Sequence, residues 1–206
     1  MSQIKHIWFD FSGTLASTIP VEHNKLIHRT YSEAVKKPIS EDLISEFKDL
    51  YQKHKSVSTV FTNHLGLPQG YWAMVVDAAD PKTLVRLADP KIPFILGQIR
   101  KLVPISIFSN MRMDKLLPAV GLDASLFTHI LSGADIKNPK PALDGFYKII
   151  ELSELPPKNI LFIGDDVEKE VIPVKKVGML AGIIWTSSKK ADYSFKNFEE
   201  ILNILE

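Results

Sequence analysis

Four short clusters of polar residues carry the chemistry open to this 206-residue chain. The first is Asp10-Phe11-Ser12-Gly13-Thr14-Leu15, directly after the apolar run Ile7-Trp8-Phe9. The second is Ser109-Asn110, after Ile105-Ser106-Ile107-Phe108. The third holds Lys137 and Lys140-Pro141, and the fourth is Gly164-Asp165-Asp166, after Ile160-Leu161-Phe162-Ile163. Short apolar runs rich in β-branched and aromatic residues suit strands buried on both faces, as in a parallel sheet under helices. In an open parallel sheet the ligand crevice lies beyond the C-terminal strand ends, so the clusters are predicted to converge there. Carboxylates at two strand ends favour Mg2+, a hard cation that takes oxygen ligands. A lysine and a serine hydroxyl beside them suit the peripheral oxygens of a phosphoryl group. The residues by themselves point to a phosphate-and-Mg2+ site.

The elements that must position these clusters alternate along the chain. Further apolar runs occur at Ile130-Leu131 and from Leu180 to Trp185. Helical spacing lies between them, in Leu116, Leu117 and Val120 before Gly121, and in Leu143, Phe146, Tyr147 and Ile150 before Pro156-Pro157. A third helical segment runs from Val167 to Val177, with Gly178 placed to end it. Pro173 in its middle means that this helix starts late or is kinked there. The alternation predicts an α/β fold, a Rossmann-like doubly wound parallel sheet with right-handed crossovers.

Residues 16–91 read differently, with no convincing strand and with helical patterns at Val21–Val35, Ser40–Lys55 and Gln69–Asp80. Glu41 and Asp42 after Ser40 favour a helix N-terminus at that point. The stretch far exceeds a βα connection of about 2–6 residues. It is expected to be a small all-helical insertion, with 1–15 and 92–206 forming the α/β core.

Composition removes several function classes. The chain has no cysteine, which excludes a disulfide framework, a thiolate metal site and a cysteine nucleophile. Its 25 Lys and Arg nearly balance 24 Asp and Glu, so charge makes no case for a nucleic-acid or acidic-membrane partner. The apolar stretches fall short of the ~20 residues of a membrane span. The N-terminal run is too short for a signal peptide, and the expectation is a soluble cytoplasmic protein. The six histidines are scattered, and His23 and His28 are not spaced as a metal pair on one helical face.

Taken in order, the four clusters resemble the four motifs of the haloacid dehalogenase (HAD) superfamily over essentially the whole chain. Asp10 to Leu15 is similar to the DxDGTL motif, and Phe108-Ser109-Asn110 to the second motif. Lys140-Pro141 with Phe146 is similar to KPxxxxF, and Gly164-Asp165-Asp166 with Glu170 and Gly178 to the fourth. The helical insertion matches the position of the family's helical cap. The resemblance implies that Asp10 is the nucleophile and a Mg2+ ligand, and that Ser109 and Asn110 bind the phosphoryl group. It implies that Thr14 braces the loop and that Lys140 bridges nucleophile and phosphate. Asp165, with Asp166 as the close alternative, would bind the metal, and Glu170 stands where relatives often carry Asp.

The pattern breaks at Ser12, where phosphatases of the family carry an acid–base Asp. Ser12 keeps the backbone carbonyl that binds Mg2+ in the family, but a hydroxyl is a poor proton carrier, and positioned proton transfer is worth about 10²–10⁴-fold. The expected function is a Mg2+-dependent phosphatase for a small phosphorylated metabolite, acting slowly or on a good leaving group. The alternatives are a non-catalytic HAD-like binding or regulatory protein, and a phosphonatase-like hydrolase with a cap lysine as Schiff base.

Overall fold

Both faces of the central apolar runs are covered, which is what makes them strands. In a computed structural model that describes residues 4–205, every residue of β1 (His6–Phe9) is buried. The insertion begins with β2 (Ala16–Thr18) and ends with β3 (Val85–Leu87). There follow β4 (Ile105–Ser109), β5 (Ile130–Ser132), β6 (Ile160–Gly164), β7 (Leu180–Ile184) and β8 (Tyr193–Phe195). Six of these strands form one parallel sheet in the order β5-β4-β1-β6-β7-β8. Side chains alternate across β1: Ile7 and Phe9 join one core, and Trp8 joins the other with Phe108, Phe146 and Phe162. The sheet is thus the middle of three layers, the α/β arrangement expected.

The chain leaves β1 for β4 on one side and returns to β6 on the other, so β1 sits at the switch point of the sheet. Phe9 pairs with Ile107 of β4 and with Ile163 of β6. Asp10, Ser109 and Asp165 therefore leave the sheet at one edge, nearly level with one another. This register is what brings the sequence clusters together.

The insertion carries helices at Pro20–Val35, Glu41–His54 and Tyr71–Ala78, close to the predicted segments. Ser40 Oγ accepts the amide of Leu43 at 3.2 Å and caps the second of them. Its buried residues, among them Tyr31, Phe47, Phe61 and Trp72, are continuous with the core on one face of the sheet.

Three features differ from the sequence reading. The stretch 16–91 does contain strand: β2 and β3 pair antiparallel through Ala16↔Leu87, Ser17↔Arg86 and Thr18↔Val85. Ile92–Leu102 is a helix that buries Ile92, Ile95, Leu96 and Ile99. The segment after Asp166 opens with a π-helical turn over Val167–Val171, and the α-helix Ile172–Lys176 starts only there, with Pro173 in its first turn. Of the two readings of Pro173, the late start is the one observed.

β1 also begins on a buried base. His6 is 3% exposed, shares a 2.8 Å hydrogen bond between Nε2 and Ser106 Oγ, and stacks on Trp8. Burial first, and His129 second, push its pKa down from 6.5 to about 4. The unfolded chain takes up a proton between these values that the folded chain refuses, so stability present above pH 6.5 is lost as pH falls towards 4. The expected loss from this residue is about 3 kcal/mol. Urea midpoints at pH 7.5 and 4.5 check it: His6→Gln should lose less stability across that range than the parent, and equal losses would refute the assignment.

Candidate active site

The site is built on the continuation of β1. Asp10 is 4% exposed, and its amide donates to Ile163 O at 2.9 Å, extending the strand ladder one residue past β1. The chain then turns sharply, with Phe11 O accepting the amides of Leu15 at 3.0 Å and Ala16 at 2.9 Å. Gly13 takes φ +90 in this turn, and a Cβ there would lie 2.2 Å from Asp165 Oδ2. Glycine is needed twice over, for the left-handed backbone and for the approach of the carboxylate.

Lys140 is the centre of the charge arrangement. Its Nζ donates to Asp10 Oδ1 at 2.6 Å, Glu170 Oε1 at 2.8 Å and Phe108 O at 3.2 Å. All three protons of the ammonium are thereby used, and the rings of Phe108 and Phe162 lie 5.1 and 5.3 Å away. Glu170 is 1% exposed, and its second oxygen accepts the amides of Asp165 at 3.0 Å and Asp166 at 3.2 Å. A Cβ on residue 164 would fall 2.0 Å from that oxygen, which accounts for Gly164.

One buried ammonium faces two carboxylates, with a third beside them, and the acids respond accordingly. Burial first, then Glu170, raises the Asp10 pKa to about 6 against the pull of Lys140. Burial, Glu170 and Asp10 raise Asp165 to about 7. Burial works against the charge on Lys140, but Asp10 and Glu170 outweigh it and hold its pKa above the ordinary lysine value. Lys169 behaves alike, its burial outweighed by Glu170, Tyr51, Asp10 and Asp165.

These features fit a divalent cation. Asp10, Asp165 and Glu170 each offer an oxygen, all within 4.8 Å of one another. Asp165 Oδ1 is buried without a hydrogen-bond partner among the described residues, an orphan that ordinarily costs about 1–3 kcal/mol and that a cation satisfies. An all-oxygen donor set suits Mg2+. Glu170 already has both oxygens engaged, so Asp10 and Asp165 are the carboxylates with capacity to spare.

The remaining candidates divide by what their side chains touch. Ser12 is half-buried in the turn. Thr14 Oγ1 is buried without a partner among the described residues, while its carbonyl accepts Trp185 Nε1 at 3.2 Å. Ser109 is buried at the end of β4, and its Oγ accepts the amide of Met111 at 3.2 Å. Asn110 is committed elsewhere: Oδ1 accepts Lys140 N at 2.8 Å, and Nδ2 donates to Lys140 O at 3.0 Å and Ser56 Oγ at 3.2 Å. Its side chain holds the lysine loop. Asp166 is also occupied, with Oδ1 accepting the amides of Glu168 and Lys169 at 2.8 Å as a helix cap. Lys137 is exposed and outside the cluster. Glu170 is the residue that sequence reasoning left without a role, and its only signal was the spacing from Asp165.

The insertion covers this edge of the sheet. Gln69 Nε2 donates to Gly133 O at 3.2 Å, Lys55 pairs with Glu168 at 3.4 Å, and Arg112 pairs with Asp77 at 3.6 Å. Between Gln69, Ser58, Thr62 and Asn110 there remains a cavity of about 10 Å³, room for one water. The arrangement can hold a cation on two carboxylates, present one of them as a nucleophile, and offset an incoming anion with Lys140.

A family model described as haloacid dehalogenase-like hydrolase matches residues 4–178. No curated protein matches the sequence. Among solved structures, a HAD phosphatase from Thermococcus onnurineus is similar with TM-score 0.74 at 20% identity, covering 98% of both chains. A predicted phosphoglycolate phosphatase from Haemophilus somnus gives TM-score 0.67 at 21% identity over 100% of both. A 2-haloacid dehalogenase from Pseudomonas syringae gives 0.64 at 18% over 98% of both. At these identities the likeness concerns the fold.

Proposed function

Since the chain belongs to the haloacid dehalogenase-like hydrolases, we propose that it is a Mg2+-dependent phosphatase for a small phosphorylated metabolite. In this reading residues 16–91 are the cap that selects the substrate, over a core of 1–15 and 92–206. The observation that carries it is the buried Asp10–Lys140–Glu170 ion triad, at 2.6 and 2.8 Å, beside the unpartnered Asp165 Oδ1.

Mg2+, held by Asp10, Asp165 and the Ser12 carbonyl, would draw the phosphoryl oxygens to the site and spread their charge. Asp10 attacks phosphorus, forming the aspartyl-phosphate as the bond to the leaving oxygen breaks. Water then attacks the same phosphorus, releasing phosphate and restoring the carboxylate. Lys140 offsets the charge of the two anions brought together, and Glu170 holds its ammonium in line. The Ser109 hydroxyl and Thr14 Oγ1 are the donors for phosphoryl oxygens. Ser12 supplies no carboxyl to protonate the leaving group.

Turnover of p-nitrophenyl phosphate tests this, because its good leaving group asks little of an acid. Phosphate release with Mg2+, abolished by EDTA and in Asp10→Asn, is the expected result. Mg2+ and phosphate binding without release above that blank would favour the binding-protein reading, for which Ser12 is the supporting observation. The phosphonatase-like reading has less support, because Lys25, Lys36, Lys48 and Lys53 are exposed and Lys55 is paired with Glu168.

A further inference from the structure

We infer that Ser56, a residue of the helical insertion, is a positioning residue for Lys140, acting through the side chain of Asn110. The link is a continuous set of hydrogen bonds. Ser56 is 5% exposed, and its Oγ accepts Asn110 Nδ2 at 3.2 Å. The same amide grips the peptide of Lys140 from both sides, taking its N–H at 2.8 Å and donating to its carbonyl at 3.0 Å. Lys140 Nζ in turn reaches Asp10 at 2.6 Å. A residue of the insertion thus touches the group that fixes the backbone from which the catalytic ammonium hangs.

A second contact converges on the same place. Gly133 packs so closely on Asn110 that a Cβ would lie 2.5 Å from Oδ1 and 3.0 Å from Cα. The carbonyl of Gly133 is held by Gln69 of the insertion at 3.2 Å. Ser56 therefore grips the Asn110 amide from one side, and Gln69 steadies the loop packed against it from the other. The consequence is a dependence of Lys140 on docking of the insertion. When the insertion is in place, Asn110 has a partner for each polar atom and the lysine loop is fixed. When it lifts away, Nδ2 loses the Ser56 acceptor and the clamp is held only by the lysine peptide itself. The ammonium is then free to drift from Asp10, and misplacement by an ångström is enough to cost a large part of a rate.

The kinetic arm of the test rests on the phosphatase reading, so it is paired with an arm that needs no turnover. Ser56→Gly removes the hydroxyl while costing only a few tenths of a kcal/mol in capping of the turn that follows. The second readout is the 15N resonance of Lys140 Nζ in 15N-lysine protein, assigned by its contacts to the Phe108 and Phe162 rings. Ser56→Gly is expected to shift that resonance and to lower kcat roughly tenfold, with KM within about twofold of the parent. Ser56→Thr, which keeps the hydroxyl, should restore both. Lys37→Gln, which breaks an exposed ion pair with Glu46 inside the insertion and touches no docking contact, should move neither. The inference is overturned if Ser56→Gly leaves resonance and kcat where they were, or if Lys37→Gln moves them as far. Should the parent protein show no turnover, the phosphatase reading fails, and the Lys140 resonance alone decides whether Ser56 positions the lysine.

Discussion

Lys140→Met is expected to lose about 3–5 kcal/mol of stability at pH 7.5, much of what a domain ordinarily has. Methionine fills most of the lysine's space between the Phe108 and Phe162 rings, so the loss is not one of packing. What it removes is the only ammonium hydrogen-bonded to Asp10 Oδ1 and Glu170 Oε1 among the described residues. Two buried carboxylates are left facing each other with Asp165 close by. Burial and neighbouring carboxylates already raise Asp10 to about 6 and Asp165 to about 7, and removing the Lys140 ammonium removes a charge that opposes this rise. Their penalty therefore grows as pH rises through the unfolded value of about 4 and shrinks as pH falls. Urea unfolding should show the variant recovering part of its deficit at pH 5. Lys148→Met, breaking an exposed pair with Glu151, should cost about 0–1 kcal/mol at either pH. A Lys140→Met protein as stable as Lys148→Met would mean that the triad does not hold the site together.

The parts of this architecture that were legible in the sequence are those where local pattern and burial agree. Runs such as Ile160-Leu161-Phe162-Ile163 are apolar at every position because both faces of β6 are covered. β2, β3 and β8 are three residues each, too short to show a period, and they exist because a partner strand pairs with them. Ile92–Leu102 buries Ile92, Ile95, Leu96 and Ile99 along one face, and Pro93 occupies its first turn, where its missing N–H costs nothing.

The same division holds in the site. Asp10, Ser109, Lys140 and Asp165 were predictable as one cluster because each follows a strand end or opens the next helix, and the sheet brings those points together. Glu170 was not, because its inward direction depends on the π-helical turn over Val167–Val171, and i→i+5 bonding displaces residues from the faces that α-helical spacing assigns. Asn110 lies in the expected cluster, but the partners of its side chain were not legible. Its two polar atoms meet a peptide thirty residues later and a hydroxyl of the insertion, and no spacing rule reports such a meeting.

Ser12→Asp is the change expected to have the largest effect on rate. The position is half-buried in the turn two residues after Asp10, and in the proposed mechanism a carboxyl there would be placed to protonate the leaving oxygen. Restoring a positioned acid and base should raise turnover of an alkyl phosphate by about 10²–10⁴-fold. It should raise turnover of p-nitrophenyl phosphate far less in the first step, because nitrophenolate leaves without a proton. The second step separates the cases further. In the proposed mechanism residue 12 of the parent offers no carboxylate to deprotonate the attacking water, so nitrophenol should appear as a burst equal to the enzyme concentration, followed by slow release. In Ser12→Asp the burst should disappear as hydrolysis of the aspartyl-phosphate overtakes its formation. The added carboxyl has a cost, since it enters a site where burial and neighbours already lift Asp10 to about 6 and Asp165 to about 7. The variant is therefore expected to be less stable than the parent without Mg2+ and to regain stability when the metal is added. A variant that binds Mg2+ and phosphate but turns over alkyl phosphates no faster than the parent would show that proton transfer is not what limits this site. The balance would then move to a protein that keeps Asp10, Lys140 and Asp165 for binding.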